Sequence, residues 1–107
     1  MCGICGQFRF DGENVSPKSL TSMMSKLARR GPDSNGKWLE SNIGFGHQRL
    51  SIIDLSSHGN QPMLDDLLKL TLVFNGTIYN YKSLRSHLIG KGYSFFSHSD
   101  TEVIIKA

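Results

Sequence analysis

The sequence predicts an α+β domain whose sheets are mostly antiparallel. Three observations carry that prediction. Short apolar stretches alternate with polar residues at strand spacing. Helical spacing is confined to three segments. The strand patterns follow one another without the βαβ spacing that a parallel sheet needs. The resulting order is β-α-β-β-β-α-α, a mostly antiparallel α+β sandwich. At 107 residues the chain is one small domain or part of one, with a marginal core.

Ile4 to Phe10 reads as the first strand, with Phe8 and Phe10 alternating against Gln7 and Arg9. Asp11-Gly12 is a turn signal. Ser16-Pro17 starts a helix, a capping residue followed by proline at the first helical position. That helix runs to about Arg30 with an apolar stripe of Leu20, Met23, Met24 and Leu27, and Gly31-Pro32 stops it. Trp38-Leu39 and Ile43 to Leu50 form a hairpin around Ser41-Asn42. Leu70 to Phe74 reads as a buried strand, punctuated by Asn75-Gly76, and Thr77 to Tyr79 continues the extended chain. Asn80 caps a second helix with Tyr81, Leu84, Leu88 and Ile89 facing inward. Ser99 or Asp100 caps a third helix, Thr101 to Ala107.

Composition excludes several classes. The chain is 38% apolar and 20% charged, ordinary for a globular protein and unlike a disordered or fibrous one. No apolar run approaches the ~18–20 residues that span a bilayer, so no membrane partner is expected. The start, Met1 to Gly6, has no basic region followed by an apolar one, so a cytoplasmic protein is expected. The net charge is +3, but Arg29, Arg30, Lys37, Arg49, Lys82, Arg85 and Lys91 are dispersed. A nucleic-acid footprint would cluster them.

Cys2 is the residue with the most chemistry in it. Methionine ahead of a small residue is normally removed, which would leave Cys2 with a thiol and a free α-amine. A free thiol has a pKa of ~8.5 and an α-amine one of ~7.7–8.0. The amine can therefore serve as base for its own thiol near neutral pH. The blander alternative is that Cys2 is only a second residue. Cys2 and Cys5 also form a C-x-x-C spacing, but a redox motif of that kind follows a strand and opens a helix. Zinc would need four ligands, and His47, His58, His87 and His98 show no paired spacing, so no metal is expected.

Further segments extend this pattern. Arg30-Gly31-Pro32-Asp33 follows the first helix. His47-Gln48-Arg49-Leu50-Ser51-Ile52-Ile53-Asp54 follows the hairpin, then Gln61-Pro62-Met63, then Asn75-Gly76-Thr77-Ile78-Tyr79-Asn80, and last Ser99-Asp100-Thr101-Glu102-Val103-Ile104-Ile105. With Met1-Cys2-Gly3-Ile4 in front, these resemble in order and spacing the glutaminase domain of the class II glutamine amidotransferases. They are most similar to the glutamine-hydrolysing asparagine synthetase family, and the resemblance runs from residue 2 to about 105.

The resemblance implies roles. Cys2 is the nucleophile, attacking the carboxamide of glutamine to give a thioester that water then opens. Arg49 binds the substrate carboxylate, for which a planar guanidinium suits a bidentate grip. The backbone from Leu50 to Ile52 lines that pocket. Asn75, through its amide, and Gly76, through its N–H, supply an oxyanion hole. Asp100 binds the substrate ammonium. Each has a plain structural alternative: a surface ion pair for Arg49, a turn for Asn75-Gly76 and a helix cap for Asp100.

Two departures from the family stand out. The family usually reads Asn-Gly-Glu, and that Glu contacts the substrate α-amine; this chain has Thr77. Losing a charge-assisted hydrogen bond, worth ~1.5–3 kcal/mol, would weaken binding by roughly tenfold to a hundredfold. The family's glutaminase domain is also nearly twice as long, an N-terminal nucleophile hydrolase αββα sandwich followed by an ATP-dependent synthetase domain. The expectation is therefore an incomplete sandwich, lacking much of the second sheet. Its open edges and bare apolar face would favour homo-oligomers or aggregation. No cofactor is expected in this portion, with ATP and magnesium belonging to the absent synthetase domain. Expected partners are glutamine and that domain or a partner chain, while the acceptor of the ammonia stays open. The alternative function is a non-catalytic remnant that acts as a binding or assembly piece.

Overall fold

The computed structural model describes residues 2–50 and 57–107. The sheets are antiparallel and the architecture is mixed α and β. Strands β1 (Gly3–Phe8), β2 (Ser34–Glu40) and β3 (Ile43–Arg49) form a three-stranded sheet in the order β1-β3-β2. Strands β4 (Met63–Asp65) and β5 (Leu70–Leu72) form a separate two-stranded ladder. Helix α1 (Pro17–Leu27) lies between β1 and β2 in the chain, and α2 (Tyr81–Gly90) and α3 (Asp100–Lys106) follow β5.

Helix α1 covers one face of the larger sheet, with Leu20 and Met24 buried against it. The sheet admits the helix closely because β3 has no side chain at Gly46. A Cβ there would lie 2.7 Å from both Cys5 Sγ and Met24 Cγ. On the opposite face Ile4 and Phe8 are exposed, and Trp38 stacks on Phe45 with ring centroids 5.6 Å apart. The end of this face that carries His47 and Arg49 is buried. Behind it, α3 packs on α2, β4 and β5, and Met63, Leu88, Val103 and Ile105 are buried. Asp65 on β4 and Lys106 on α3 join this unit through a buried ion pair.

The elements depart from the sequence expectation where side-chain pattern and pairing disagree. The first strand ends at Phe8 rather than Phe10, because Arg9 turns to pair with Asp11 and Gly12 takes φ 79°. The first helix ends at Leu27, and Arg30 N–H donates to Leu27 O in a tightened turn. Ser16 opens it without a side-chain cap, and Asn80 likewise opens α2 without one. The hairpin turn falls at Ser41-Asn42 as expected, with Ser41 at φ 51°.

Strand β2 starts at Ser34, earlier than Trp38, because the polar run before Trp38 pairs with β3 through backbone alone. Strand β5 ends at Leu72 instead of Phe74, and its partner β4 was not expected. Of the inward set proposed for α2 only Leu88 is buried, while Leu84 is 38% and Ile89 47% exposed. Helix α2 packs on α3, so one narrow stripe meets a partner. Ser99, not Asp100, caps α3, its side chain accepting from Thr101 N–H at 3.0 Å.

Candidate active site

Residues from both ends of the chain converge on one cleft of about 60 Å³. Cys2, Arg49, Leu50, Gly76, Thr77 and Asp100 all line it. Asn75, half-buried, is adjacent in sequence but does not line it. Ile52, the remaining predicted pocket residue, and Met1 lie outside the described residues. Gly59, Gln61, Phe74, Ser99 and Thr101 complete the lining.

The geometry follows from the sheet. Cys2 precedes β1 and Leu50 follows β3, the central strand beside it, so antiparallel pairing brings both to the same end. Leu50 N–H donates to Cys2 Sγ at 3.3 Å, and the thiol lies 3.5 Å from Leu50 O. The backbone of one residue thus fixes the sulfur. Arg30 Nε approaches Cys2 O at 3.5 Å from the turn after α1. Arg49, buried at the end of β3, donates from Nη1 to Asn60 Oδ1 at 2.6 Å, and Asn60 Oδ1 also accepts from Ser34 Oγ at 3.1 Å. Asp33 N–H donates to Arg49 O at 2.9 Å.

The far wall of the cleft is the start of α3 and the chain after β5. Asp100 Oδ2 accepts Ile78 N–H at 2.9 Å, so its carboxylate binds the neighbouring segment instead of capping its own helix. Glu102 is fully buried and accepts from Phe96 N–H, Ser97 N–H and Ser97 Oγ. That carboxylate shapes the loop that delivers Ser99 and Asp100. Charge in the cleft is thus divided, a guanidinium on the β3 side and a carboxylate on the α3 side.

Among the described residues no group of three or more His, Cys, Asp or Glu could hold a metal ion, and no helix is long and apolar enough to cross a membrane. Cys5 is separate from the cleft, and burial pushes its thiol pKa up.

His47 is 1% exposed, and among the described residues neither ring nitrogen makes a hydrogen bond of good geometry, although the Phe74 backbone lies near enough to favour the charged ring. Burial lowers its pKa below the ordinary 6.5, the Arg49 charge lowers it further, and the Phe74 backbone opposes both. The unfolded chain therefore binds more protons than the folded one as pH falls below about 6.5. The stability of the neutral imidazole is present above that value and is lost on acidification. Urea unfolding should show lower stability at pH 5.5 than at pH 7.5, and His47→Gln should reduce that difference. An equal pH dependence in the variant would contradict this.

An α+β domain with a polar cleft built around a thiol at residue 2 is the class that fold and site define. A family model described as the glutamine amidotransferase domain matches residues 1–107. The chain belongs to that family. It is 41% identical to asparagine synthetase [glutamine-hydrolyzing] 1 of Bacillus subtilis, over 98% of this chain and 17% of that protein. It is 38% identical to asparagine synthetase B [glutamine-hydrolyzing] of Escherichia coli, over 98% of this chain and 19% of that protein. A fungal relative, amidase chry2 of Gibberella zeae, is 37% identical over 98% of this chain and 17% of its own length. The chain therefore spans about a fifth of the length of these curated relatives.

Five lining residues, Gly59, Gln61, Phe74, Ser99 and Thr101, were not expected at the site from the sequence. Gln61 stood in a quoted motif without a role. Ser99 was considered only as a cap. Gln61 carries no signal at short range because its partners, Phe74 and Thr101, lie in other segments, while Ser99 shows only its local capping bond from Thr101 N–H.

Proposed function

We propose that this cleft hydrolyses glutamine to glutamate and ammonia through a thioester on Cys2. The observation that carries this is the cleft itself, where a thiol, a buried guanidinium and a carboxylate from separate segments meet. Arg49 and Asp100 match the carboxylate and ammonium of a free α-amino acid. The glutamine side chain would then extend toward Cys2 and Gly76.

The chemistry runs in two halves. The α-amine of Cys2, freed by removal of Met1, takes the thiol proton, and sulfur attacks the carboxamide carbon. Negative charge on the carboxamide oxygen is met by the Gly76 N–H and the Asn75 amide, donors that act in the transition state. The C–N bond breaks, the ammonium returns its proton to nitrogen, and ammonia leaves. Water adds to the thioester, releasing glutamate and the thiol. The ammonia feeds an ATP-dependent amide synthesis of the asparagine synthetase kind in a further domain, with ATP and magnesium bound there. Thr77 leaves Asp100 as the charged ligand for the ammonium, so glutamine binds more weakly than in a site with two carboxylates. On this proposal the face that carries the exposed Ile4 and Phe8 and the half-buried Trp38 and Phe45 is the inner face of an αββα sandwich.

Glutamate release from glutamine is the test, using protein whose intact mass shows Met1 removed. Release is expected, and Cys2→Ala should abolish it. Equal release from the variant would sink the Cys2 mechanism. No release from either would favour a binding or assembly piece, as the missing second carboxylate at Thr77 allows.

A further inference from the structure

We infer that Gln61 is a positioning residue that ties the two walls of the cleft together. This deepens the proposed glutaminase reading and rests on it for the catalytic consequence. Gln61 is buried and lines the cleft. Its Oε1 accepts Phe74 N–H at 2.5 Å, and its Nε2 donates to Thr101 Oγ1 at 3.2 Å. A single amide therefore joins the chain after β5 to the first turn of α3.

The position of this joint gives it consequence. Phe74 is followed directly by Asn75-Gly76, the proposed oxyanion donors. Thr101 follows directly on Asp100, the proposed ammonium ligand. Asp100 Oδ2 meets Ile78 N–H at 2.9 Å, so the segment 74–78 is held at both ends, by Gln61 and by Asp100. Gln61 is itself held from behind. Its carbonyl oxygen lies 2.2 Å from where a Cβ on Gly36 would stand, so β2 packs directly on its backbone. The amide transmits the position of the three-stranded sheet to both walls. Oxyanion donors must sit within a few tenths of an ångström of where charge develops. A side chain that fixes Phe74 therefore acts on kcat more than on KM.

The test pairs amide hydrogen exchange with kinetics on the same proteins. Gln61→Met keeps the volume and removes both bonds. Thr101→Val removes one end from the other side. Gln61→Glu retains an acceptor for Phe74 N–H and, with the Thr101 hydroxyl turned to donate, the second bond. In Gln61→Met, exchange at 74–78 should rise about tenfold, as loss of one well-made bond predicts, while β1 to β3 stay protected. Thr101→Val should show the same pattern at smaller amplitude, and Gln61→Glu should restore protection at Phe74. The kcat for glutamate release should fall about tenfold in Gln61→Met with a smaller change in KM.

Unchanged exchange at 74–78, or protection lost evenly over the whole chain, would overturn the positioning role. Faster exchange at 74–78 with unchanged kcat would overturn its catalytic consequence. A wild-type chain that releases no glutamate would instead defeat the glutaminase reading, and the exchange pattern would still decide whether Gln61 ties the walls.

Discussion

Gly31→Ala is expected to destabilise the chain by about 3 kcal/mol, at the upper end of the usual overpacking range. In thermal melts that is about 10–20 °C for a domain of this size. A Cβ at Gly31 would lie 2.1 Å from Gln48 O and 2.5 Å from Arg49 N. Both are backbone atoms of β3, the central strand, and no rotamer change can relieve the contact. The turn after α1 would have to lift away. That would pull on the Asp33 N–H to Arg49 O bond, and on Arg30 beside Cys2. Gly31 does not occupy left-handed backbone, so the cost is one of space and not of φ. Gly90, at the end of α2, is the control, because a Cβ there meets nothing within 4 Å. Gly90→Ala should leave the melting temperature unchanged or raise it slightly, since alanine favours helix by ~0.5–1 kcal/mol. Equal melting temperatures for Gly31→Ala and wild type would show that the turn does not press on β3.

Glu102→Ala is expected to cost about 3–5 kcal/mol, because it strands several buried donors at once. The carboxylate is 0% exposed. It accepts from Ser97 N–H at 2.7 Å, Ser97 Oγ at 2.6 Å and Phe96 N–H at 2.9 Å. A domain of this size holds only ~5–15 kcal/mol in total, so the variant should be largely unfolded at modest urea. Glu102→Gln should be intermediate, because its NH₂ cannot accept from one of these donors. Urea midpoints for the three proteins give the ranking. An unfolding free energy for Glu102→Ala within about 1 kcal/mol of wild type would mean that water replaces the carboxylate. The same loop carries Ser97 Oγ to Ser99 N–H and Ser99 Oγ to Thr101 N–H, so partial loosening there also displaces Asp100.

Much of the larger sheet was legible, because β1 and β3 carry apolar alternation and the Ser41-Asn42 turn marks its own place. Pro17 marked the start of α1, and the S-D-x-E segment marked α3. Strand β2 was half-hidden, since residues 34–37 are polar and join the sheet through backbone bonds. Strand β4 was invisible because a three-residue ladder has too little pattern to detect. The inward face of α2 was overdrawn, because an apolar stripe does not say how much of it will find a partner.

At the site, the motif residues Cys2, Arg49, Gly76, Thr77 and Asp100 do share a cleft. What the sequence left dark were Gln61 and Glu102, and at Gly31 it showed the helix stop but not how closely β3 approaches. Gln61 works through segments distant in the chain, Glu102 through the loop five and six residues before it, and Gly31 through space denied to a side chain. Periodicity reports none of these.

The thiol lies at one end of the β1–β3 ladder, and Phe8 pairs with Ile43 at the other. At ~3.4 Å per residue, the turns 9–14 and 41–42 stand about 17 Å from the nucleophile's end of the sheet. They form a rim where chain length is free to drift without disturbing chemistry. A reporter peptide or affinity handle grafted there would leave the cleft, its charges and its entrance untouched.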